Sequence, residues 1–211
     1  MRNVYEFAAG FYDVLSGERL VYRAGREAGV RLLGLSPGDT VLDLGCGTGL
    51  NLSRLVDAVG PGGRVIGLDR SPAMLSMARH RVESNGWRTV RLVEADATRF
   101  DPAQVTSLLP AGARHVDAVF ATYAMSVFDD WQPAWQRMRE LLRPGGRAGI
   151  VDMQLPTGRH RVFSPLARLA VAVGGADVTA RPWTVLEHEG IDVRSVSVRG
   201  GHIRVVAATI P

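Results

Sequence analysis

The chain contains 211 residues, a length that fits one domain with a sizeable hydrophobic core. Its residues are 46% hydrophobic and 22% charged, as in ordinary soluble globular proteins. No apolar run approaches the roughly 18–20 residues that a membrane-spanning helix needs, and the first residues show no secretory signal. The single cysteine, Cys46, excludes an internal disulfide. The sequence therefore predicts one cytoplasmic domain over residues 1–211.

The net charge of +4 rests on arginine alone, because the sequence contains no lysine. Two stretches concentrate this charge, one near the amino terminus and one in the last third of the chain. They comprise Arg19, Arg23 and Arg26, and then Arg159, His160 and Arg161. Such clusters indicate peripheral contact with an anionic membrane or with an acidic substrate; ordinary solvated faces are the alternative.

Helical spacing of apolar residues predicts two amphipathic helices before the first strand, separated by Ser16-Gly17. In the second of them, the apolar face comprises Val21, Ala24, Ala28, Leu32 and Leu35, and the arginines at 19, 23 and 26 share another face. We interpret residues 1–36 as a helical lid over a ligand site. A membrane-contacting surface and a simple outer layer of the fold are the alternatives.

A short apolar run, Thr40–Leu44, predicts a buried strand that leads directly into three alternating glycines and a helix. Glycines 45, 47 and 49 let the main chain turn sharply and let a ligand approach it closely. A doubly wound sheet holds a nucleotide in this way, at the carboxyl ends of its strands. The spacing excludes two common sites: Leu50 occupies the sixth position of the dinucleotide fingerprint, and the Gly-Lys-Ser/Thr of a P-loop is absent.

Further strands alternate with helices along the rest of the chain. Arg64–Asp69 ends on a carboxylate, and Ser71 then caps a helix that begins at Pro72. The remaining predicted strands are 90–97, which runs into Asp96, then 116–123 and 147–153, and finally the antiparallel pair 193–198 and 202–209. This order predicts an α/β fold: a doubly wound, mostly parallel, Rossmann-like seven-stranded sheet with an antiparallel carboxyl-terminal strand. Residues 154–190 form a substrate-side insertion.

The pattern Asp43-x-Gly45-x-Gly47-x-Gly49, with Asp69, Asp96 and the segment 141–147, resembles the class I S-adenosylmethionine (SAM) methyltransferases in order and spacing. The resemblance implies SAM as cofactor, with Asp69 on the ribose hydroxyls and Asp96 beside the adenine amino group. The cofactor-binding residues that it implies are Asp43, Gly45, Cys46, Gly47, Thr48, Gly49, Asn51, Asp69, Arg70, Met74, Asp96, Ala97 and Thr122. We interpret Cys46 as a small apolar filler of the turn rather than a nucleophile.

Several shorter stretches are similar to the phospholipid and betaine-lipid N-methyltransferases. They are Phe11-Tyr12-Asp13, Thr122–Ser126 followed by Asp130-Trp131, Ala180-Arg181-Pro182 and Gly200-Gly201-His202-Ile203. This narrower resemblance implies N-methylation of a lipid headgroup amine. Because related quinone and natural-product methyltransferases share much of it, methylation of a soluble small molecule, quinone or natural product is the alternative.

The same resemblance implies roles on the acceptor side of the site. Tyr12 and Tyr123 would shape the methyl-transfer pocket as catalytic and substrate-binding residues, with core aromatics as the alternative. Arg159, Arg161 and His202 would also contact the acceptor; a solvated helix face and a structural histidine are the alternatives.

Methyl transfer from a sulfonium needs alignment and partial desolvation more than it needs a strong base. The sequence shows no His/Asp/Glu cluster with metal-ligand spacing, so we expect no metal requirement. The sequence signature of base-amino methylation is absent after the fourth strand, where Thr122–Met125 stands, so nucleic acid is not an expected partner. A non-catalytic SAM-binding protein stays open, as does the oligomeric state.

Overall fold

The computed structural model describes residues 22–155, 177 and 179–211. Several predicted residues lie outside this part of the chain, including the first amino-terminal helix. They are Tyr12, Arg19, Arg159, His160 and Arg161.

The described part alternates strands and helices as the sequence predicts. Its strands are β1 (Thr40–Leu44), β2 (Arg64–Asp69), β3 (Val90–Glu94), β4 (Val116–Thr122), β5 (Leu142–Met153), β6 (Ile191–Val198) and β7 (Ile203–Ile210). Its α-helices are α1 (Arg23–Leu33), α2 (Leu52–Val59), α3 (Pro72–Asn85), α4 (Ala103–Thr106), α5 (Gln132–Leu141) and α6 (Thr184–Glu189), with a 3₁₀ turn at Met125–Val127.

All seven strands form one sheet in the order β3-β2-β1-β4-β5-β7-β6. Neighbouring strands from β3 to β5 are parallel, and β7 is antiparallel to both β5 and β6. The predicted fold class is therefore confirmed. The chain order reverses between β1 and β4, so the crevice of this doubly wound sheet opens at their carboxyl ends.

Side chains alternate between two buried faces of the sheet, as the two-residue period of a strand requires. On one face, Leu42 and Leu44 of β1 belong to a core with α4, α5 and α6. On the other face, Val41 belongs to a core with α1, α2 and α3. Both faces of the central strands are covered, which explains why β1 is buried at every position.

Helix α1 packs on the sheet through a face that the sequence predicted in part. Ala28 of the predicted apolar face is buried in the core, and Leu32 and Leu35 pack against it. The buried residues of α1 are Gly25, Ala28, Gly29 and Leu33, whereas Ala24 and Leu32 are half-buried. The helix lies so close that a Cβ on Gly25 would collide with the Tyr123 hydroxyl and one on Gly29 would lie 2.6 Å from a Val151 methyl carbon. Two glycines thus set the contact face, and Arg26 turns towards the sheet instead of towards solvent.

Candidate active site

The glycine turn after β1 forms the floor of the site. Gly45, Gly47 and Gly49 have φ angles of 67°, 54° and 83°, a left-handed region that favours glycine. A Cβ on Gly45 would lie 2.5 Å from Ala124 Cβ, and a Cβ on Gly49 would lie 2.6 Å from Leu52 Cδ1. A Cβ on Gly47 would meet no described atom within 4 Å. Among the described residues, the main chain at Gly47 is therefore open to a ligand, whereas packing closes the space beside the other two glycines.

Cys46 and Thr48 lie buried within the same turn. The Cys46 sulfur packs against Gly67: a Cβ on this glycine would lie only 3.0 Å from the sulfur. Burial raises the pKa of the Cys46 thiol well above its ordinary value, so the group stays a neutral thiol. This environment agrees with the prediction of a small apolar filler.

Asp69 closes β2 and faces the glycine turn. Its Oδ2 accepts a hydrogen bond from the Gly47 amide at 2.8 Å, and its Oδ1 accepts one from the Ser71 amide at 2.9 Å. Burial raises the pKa of Asp69 above its ordinary value, against the lowering effect of these two amides. Because each carboxylate oxygen can accept a further bond, the group keeps acceptor capacity for a pair of ligand hydroxyls.

Asp43 is fully buried beneath the turn, where Asn51 Nδ2 donates to its Oδ1 at 2.8 Å. Its other oxygen, Oδ2, is buried without a hydrogen-bond partner in the described part of the chain. Burial raises the pKa of Asp43 to about 7, although the Asn51 bond and the nearby charge of Arg26 oppose the shift. A buried charged acceptor without a donor is unfavourable, which agrees with the raised pKa of this carboxyl group.

Arg26 of α1 reaches the same place, although the sequence indicated it as a surface arginine. Its Nη1 donates to Thr122 Oγ1 at 2.6 Å and to Asn51 Oδ1 at 3.1 Å. Asn51 Nδ2 also donates to Thr122 Oγ1, at 2.9 Å. A guanidinium therefore stands at the carboxyl end of β4, beside the glycine turn, where it supplies the positive charge that a ligand carboxylate requires.

Two tyrosines line the β4 side of the site. Tyr123 has φ +55°, a strained angle for a residue with a side chain, and its hydroxyl donates to the Tyr22 carbonyl oxygen at 2.9 Å. The two rings meet edge to face with centroids 4.8 Å apart, and the Arg26 guanidinium lies 5.0 Å above the Tyr123 ring. The Tyr22 hydroxyl contacts the Met153 sulfur at 3.3 Å. These contacts produce an aromatic wall, formed by Tyr22 and Tyr123, at the ends of β4 and β5.

The remaining predicted cofactor residues lie on the β2–β3 side. Burial acts to raise the pKa of Asp96, but the Thr98 hydroxyl and amide, which donate to its Oδ1 at 2.7 and 2.9 Å, hold the pKa below its ordinary value. Ala97 and Met74 are buried. The Arg70 side chain is exposed, with its charge near Asp69 and Asp96.

A buried carboxylate that the sequence did not indicate supports the turn after β4. Asp152 Oδ1 accepts from the Ser126 hydroxyl at 2.6 Å, and Oδ2 accepts from the Ser126 amide at 3.0 Å. Burial raises the pKa of Asp152 to about 6, against these bonds and the Met153 amide. The Ser126 carbonyl oxygen in turn accepts from the Asp177 amide at 2.7 Å. Asp152 thus holds the segment that borders the crevice.

His202 lies at the tip of the β6–β7 hairpin, beside the end of β5. Its Nδ1 is 2.7 Å from the Gln154 carbonyl oxygen, and its own carbonyl oxygen accepts from the Gln154 amide at 2.8 Å. The Gln154 side chain donates to the Gly201 carbonyl oxygen at 2.7 Å.

Among the predicted site residues, the structure brings five together around the glycine turn: Asp43, Asn51, Asp69, Thr122 and Tyr123. His202 lies apart from them, two strands away from β4.

Comparison with known proteins identifies a domain over the strands and turns that form this site. A sequence model described as a methyltransferase domain matches residues 41–146. The chain is 32% identical over 170 residues to a 2-phytyl-1,4-naphtoquinone methyltransferase of Synechococcus elongatus, which covers 80% of this chain and 67% of that protein. The chain belongs to the SAM-dependent methyltransferases.

Two further similarities agree with this assignment. The methyltransferase is 28% identical over 159 residues to a demethylmenaquinone methyltransferase of Bacillus cytotoxicus, covering 74% of this chain and 63% of that protein. Its fold matches a SAM-dependent methyltransferase of Aquifex aeolicus with a TM-score of 0.67 and 22% identity, covering 97% of this chain and all of that one. The enzyme class and the SAM cofactor are thereby confirmed. The relatives support the predicted alternative, a quinone-type acceptor, more than a phospholipid amine.

Two features of the described residues concern the other predictions. No helix in residues 22–155 and 179–211 has the length and apolarity to cross a membrane. In the same part of the chain, no group of three or more His, Cys, Asp and Glu side chains is placed to hold a metal ion. Metal independence and membrane contact stay predictions.

Proposed function

We propose that this methyltransferase methylates the reduced, hydroquinone form of a naphthoquinone-type acceptor. The observation that carries the proposal is the 32% identity, over 80% of the chain, to a protein that acts on a phytyl-naphthoquinone. The arrangement of the described residues supports it on both sides of the crevice.

The cofactor side fits SAM in three respects. The open main chain at Gly47 leaves room for a ligand, Asp69 keeps acceptor capacity for the two ribose hydroxyls, and Arg26 supplies a positive charge for the cofactor's carboxylate. When bound, SAM supplies a methyl group on a positively charged sulfur.

The acceptor side fits a planar aromatic ring. Most predicted cofactor residues lie at the ends of β1, β2 and β3, so we expect the acceptor to enter over β4, β5 and β7, on the other side of the switch point. There, the aromatic wall and the Met153 sulfur provide flat, polarisable contact area. A hydroquinone ring offers electron-rich carbon and oxygen atoms for an in-line displacement, which mainly requires alignment in a desolvated site.

The lipid N-methylation hypothesis predicts a different acceptor group. A headgroup amine carries its phosphate or carboxylate nearby, and the arginines predicted to bind it, Arg159 and Arg161, lie outside the described residues. Of the arginines near the amino terminus, Arg26 contacts Thr122 and Asn51, and Arg23 pairs with Glu27 at 2.7 Å. The amine reading therefore rests on the sequence resemblance alone, whereas the hydroquinone reading also has the relatives.

An acceptor panel with methyl-labelled SAM tests the proposal. The purified enzyme is offered a prenylated 1,4-naphthoquinol kept reduced under nitrogen, a phosphatidylethanolamine vesicle and ethanolamine in separate reactions, each with and without EDTA. We expect label in the naphthoquinol fraction at equal rates with and without EDTA. Label in the phosphatidylethanolamine fraction with none in the naphthoquinol would support the lipid reading and overturn this one.

A further inference from the structure

We propose that His202 is the general base that removes the hydroxyl proton of the acceptor. This inference rests on the proposed function and deepens it, because a hydroquinone becomes a strong nucleophile when one of its hydroxyl groups loses its proton. The contacts of the imidazole ring, its place beside the crevice and the rigidity of its support carry the argument.

The hydrogen bond to Gln154 fixes which nitrogen of His202 is basic. The Gln154 carbonyl oxygen can only accept, so Nδ1, 2.7 Å away, must carry the ring proton. In the neutral ring, Nε2 then holds a lone pair. Among the residues that the structure describes, no group bonds to this nitrogen, and the ring is half-buried. The arrangement resembles a base oriented by a second group through its other nitrogen.

The position of His202 in the sheet places it on the acceptor side. Thr122 of β4 pairs with Val151 of β5, and Met153 of β5 pairs with Ile203 of β7. His202 directly precedes Ile203 in the chain, and it lies opposite Gln154, the residue after Met153. Two strand spacings of about 4.8 Å therefore separate the ends of β4 and β7, a distance that a fused two-ring acceptor spans when it lies across the carboxyl ends of β4 and β5.

Three bonds hold the hairpin tip in place. The Gln154 amide donates to the His202 carbonyl oxygen, the Gln154 side chain donates to the Gly201 carbonyl oxygen, and His202 Nδ1 donates to the Gln154 carbonyl oxygen. A general base must sit within hydrogen-bond reach of the proton that it removes. Gln154, which holds His202, directly follows Met153, whose sulfur contacts the Tyr22 hydroxyl. The end of β5 therefore supports both the base and the aromatic wall.

The proposed step transfers one proton. The acceptor O–H bond breaks, an Nε2–H bond forms, and the oxygen keeps the electron pair, so that the imidazole becomes an imidazolium and the hydroquinone becomes its monoanion. This monoanion is the nucleophile that the proposed methyl transfer requires. The acceptor enters already reduced, so the step needs no further oxidant or reductant.

The substitution His202→Asn separates the base from the structural contact. The Asn amide nitrogen occupies the place of Nδ1 and still donates to Gln154, but nothing replaces Nε2. The assay compares wild type and H202N on a series of 1,4-naphthoquinols whose ring substituents make the hydroxyl progressively more acidic. We expect H202N to be about 10²–10⁴-fold slower on the parent naphthoquinol, and the deficit to shrink below about 10-fold on members that are already ionised at the assay pH.

The matched control is His115→Asn, because His115 is exposed and directly precedes β4, at the end of the strands opposite the crevice. It should match wild type on every acceptor. An equal loss of activity across the whole series would assign His202 a structural role, and no loss would remove it from the reaction. Both results overturn the inference.

If H202N does not fold, His202→Ala is assayed with and without added imidazole instead. Rescue of activity by imidazole supports a general base, and absence of rescue contradicts one. Wild-type enzyme that methylates no naphthoquinol would instead overturn the proposed function.

Discussion

Arg26 stacks its guanidinium 5.0 Å above the ring of Tyr123 and donates to the neighbouring Thr122 hydroxyl at 2.6 Å. A helix that precedes the sheet thereby contributes a charge to the predicted cofactor site. The contact also links two proposed roles, because the same tyrosine ring belongs to the wall against which the acceptor would lie.

Replacing Arg26 should weaken SAM binding without unfolding the protein. Arg26→Gln keeps hydrogen-bonding capacity but removes the charge opposite the cofactor's carboxylate, so we expect a loss of about 10- to 100-fold in affinity by calorimetry. Arg23→Gln is the matched control, since Arg23 lies on the same helix and pairs with Glu27 in solvent. Equal affinities for the two variants would remove Arg26 from the cofactor site.

Asp43 should make the stability of the ligand-free enzyme depend on pH. Its pKa is raised from 3.8 to about 7 on folding, so its contribution to stability is complete below about pH 4 and is lost as the pH rises through 7. Each pKa unit corresponds to roughly 1.4 kcal/mol, which puts an upper bound of about 4 kcal/mol on the effect.

Asp43→Asn removes this titration while keeping an acceptor for Asn51. Denaturant unfolding of both proteins between pH 5 and 8 should show the variant gaining stability relative to wild type as the pH rises, with a plateau above about pH 7. Asp152, whose pKa is raised to about 6, is present in both proteins and cancels in the difference. A difference that stays constant over this range would contradict the prediction.

Two glycines of the turn should respond differently to the same substitution. Gly45→Ala and Gly47→Ala both place a Cβ at a positive φ, which costs about 1–2 kcal/mol of unfolding free energy. Gly45→Ala also forces a contact with Ala124 Cβ at 2.5 Å, so it should be the less stable variant. Gly47→Ala should fold but lose SAM affinity, because its Cβ enters the space left for the ligand. The reverse order of stabilities would show that this space is not open.

Asp152 should matter for the acceptor more than for SAM. In Asp152→Asn, one of the two Ser126 donors faces an amide nitrogen instead of an oxygen, which should lower the unfolding free energy by about 1–3 kcal/mol. Because Ser126 lies in the turn after β4, we expect the KM for the acceptor to rise while the Kd for SAM stays the same. An equal change in both constants would indicate a general loosening of the site.

The sequence predicted the glycine turn, the position of Asp69 at the end of β2 and the succession of strands along the chain, because local spacing determines them. It did not indicate Arg26, because amphipathic spacing grouped this residue with Arg19 and Arg23 on a solvent face. Gly25 and Gly29 allow α1 to approach the sheet closely, which rotates the helix and brings Arg26 inward. Helix periodicity gives small residues little weight, so this close contact could not be predicted from the pattern.

Asp152 was missed for a related reason. It stands between Val151 and Met153 in an apolar run, so the pattern indicated only a buried strand. Its role depends on Ser126, which is 26 positions away and reaches it only when β4 and β5 pair. Tyr22 was likewise invisible as a site residue, since its contacts with Tyr123 and Met153 are all long-range.

The central claim is that the methyl group of SAM goes to a hydroquinone and not to a lipid amine. One reaction tests it most directly: the wild-type enzyme receives methyl-labelled SAM and vesicles that contain equal amounts of a reduced prenylated naphthoquinol and phosphatidylethanolamine, and the two products are separated and counted. We predict that the label is recovered in the methylated naphthoquinol. Recovery of the label in mono- or dimethylated phosphatidylethanolamine, with the naphthoquinol unlabelled, would contradict the claim.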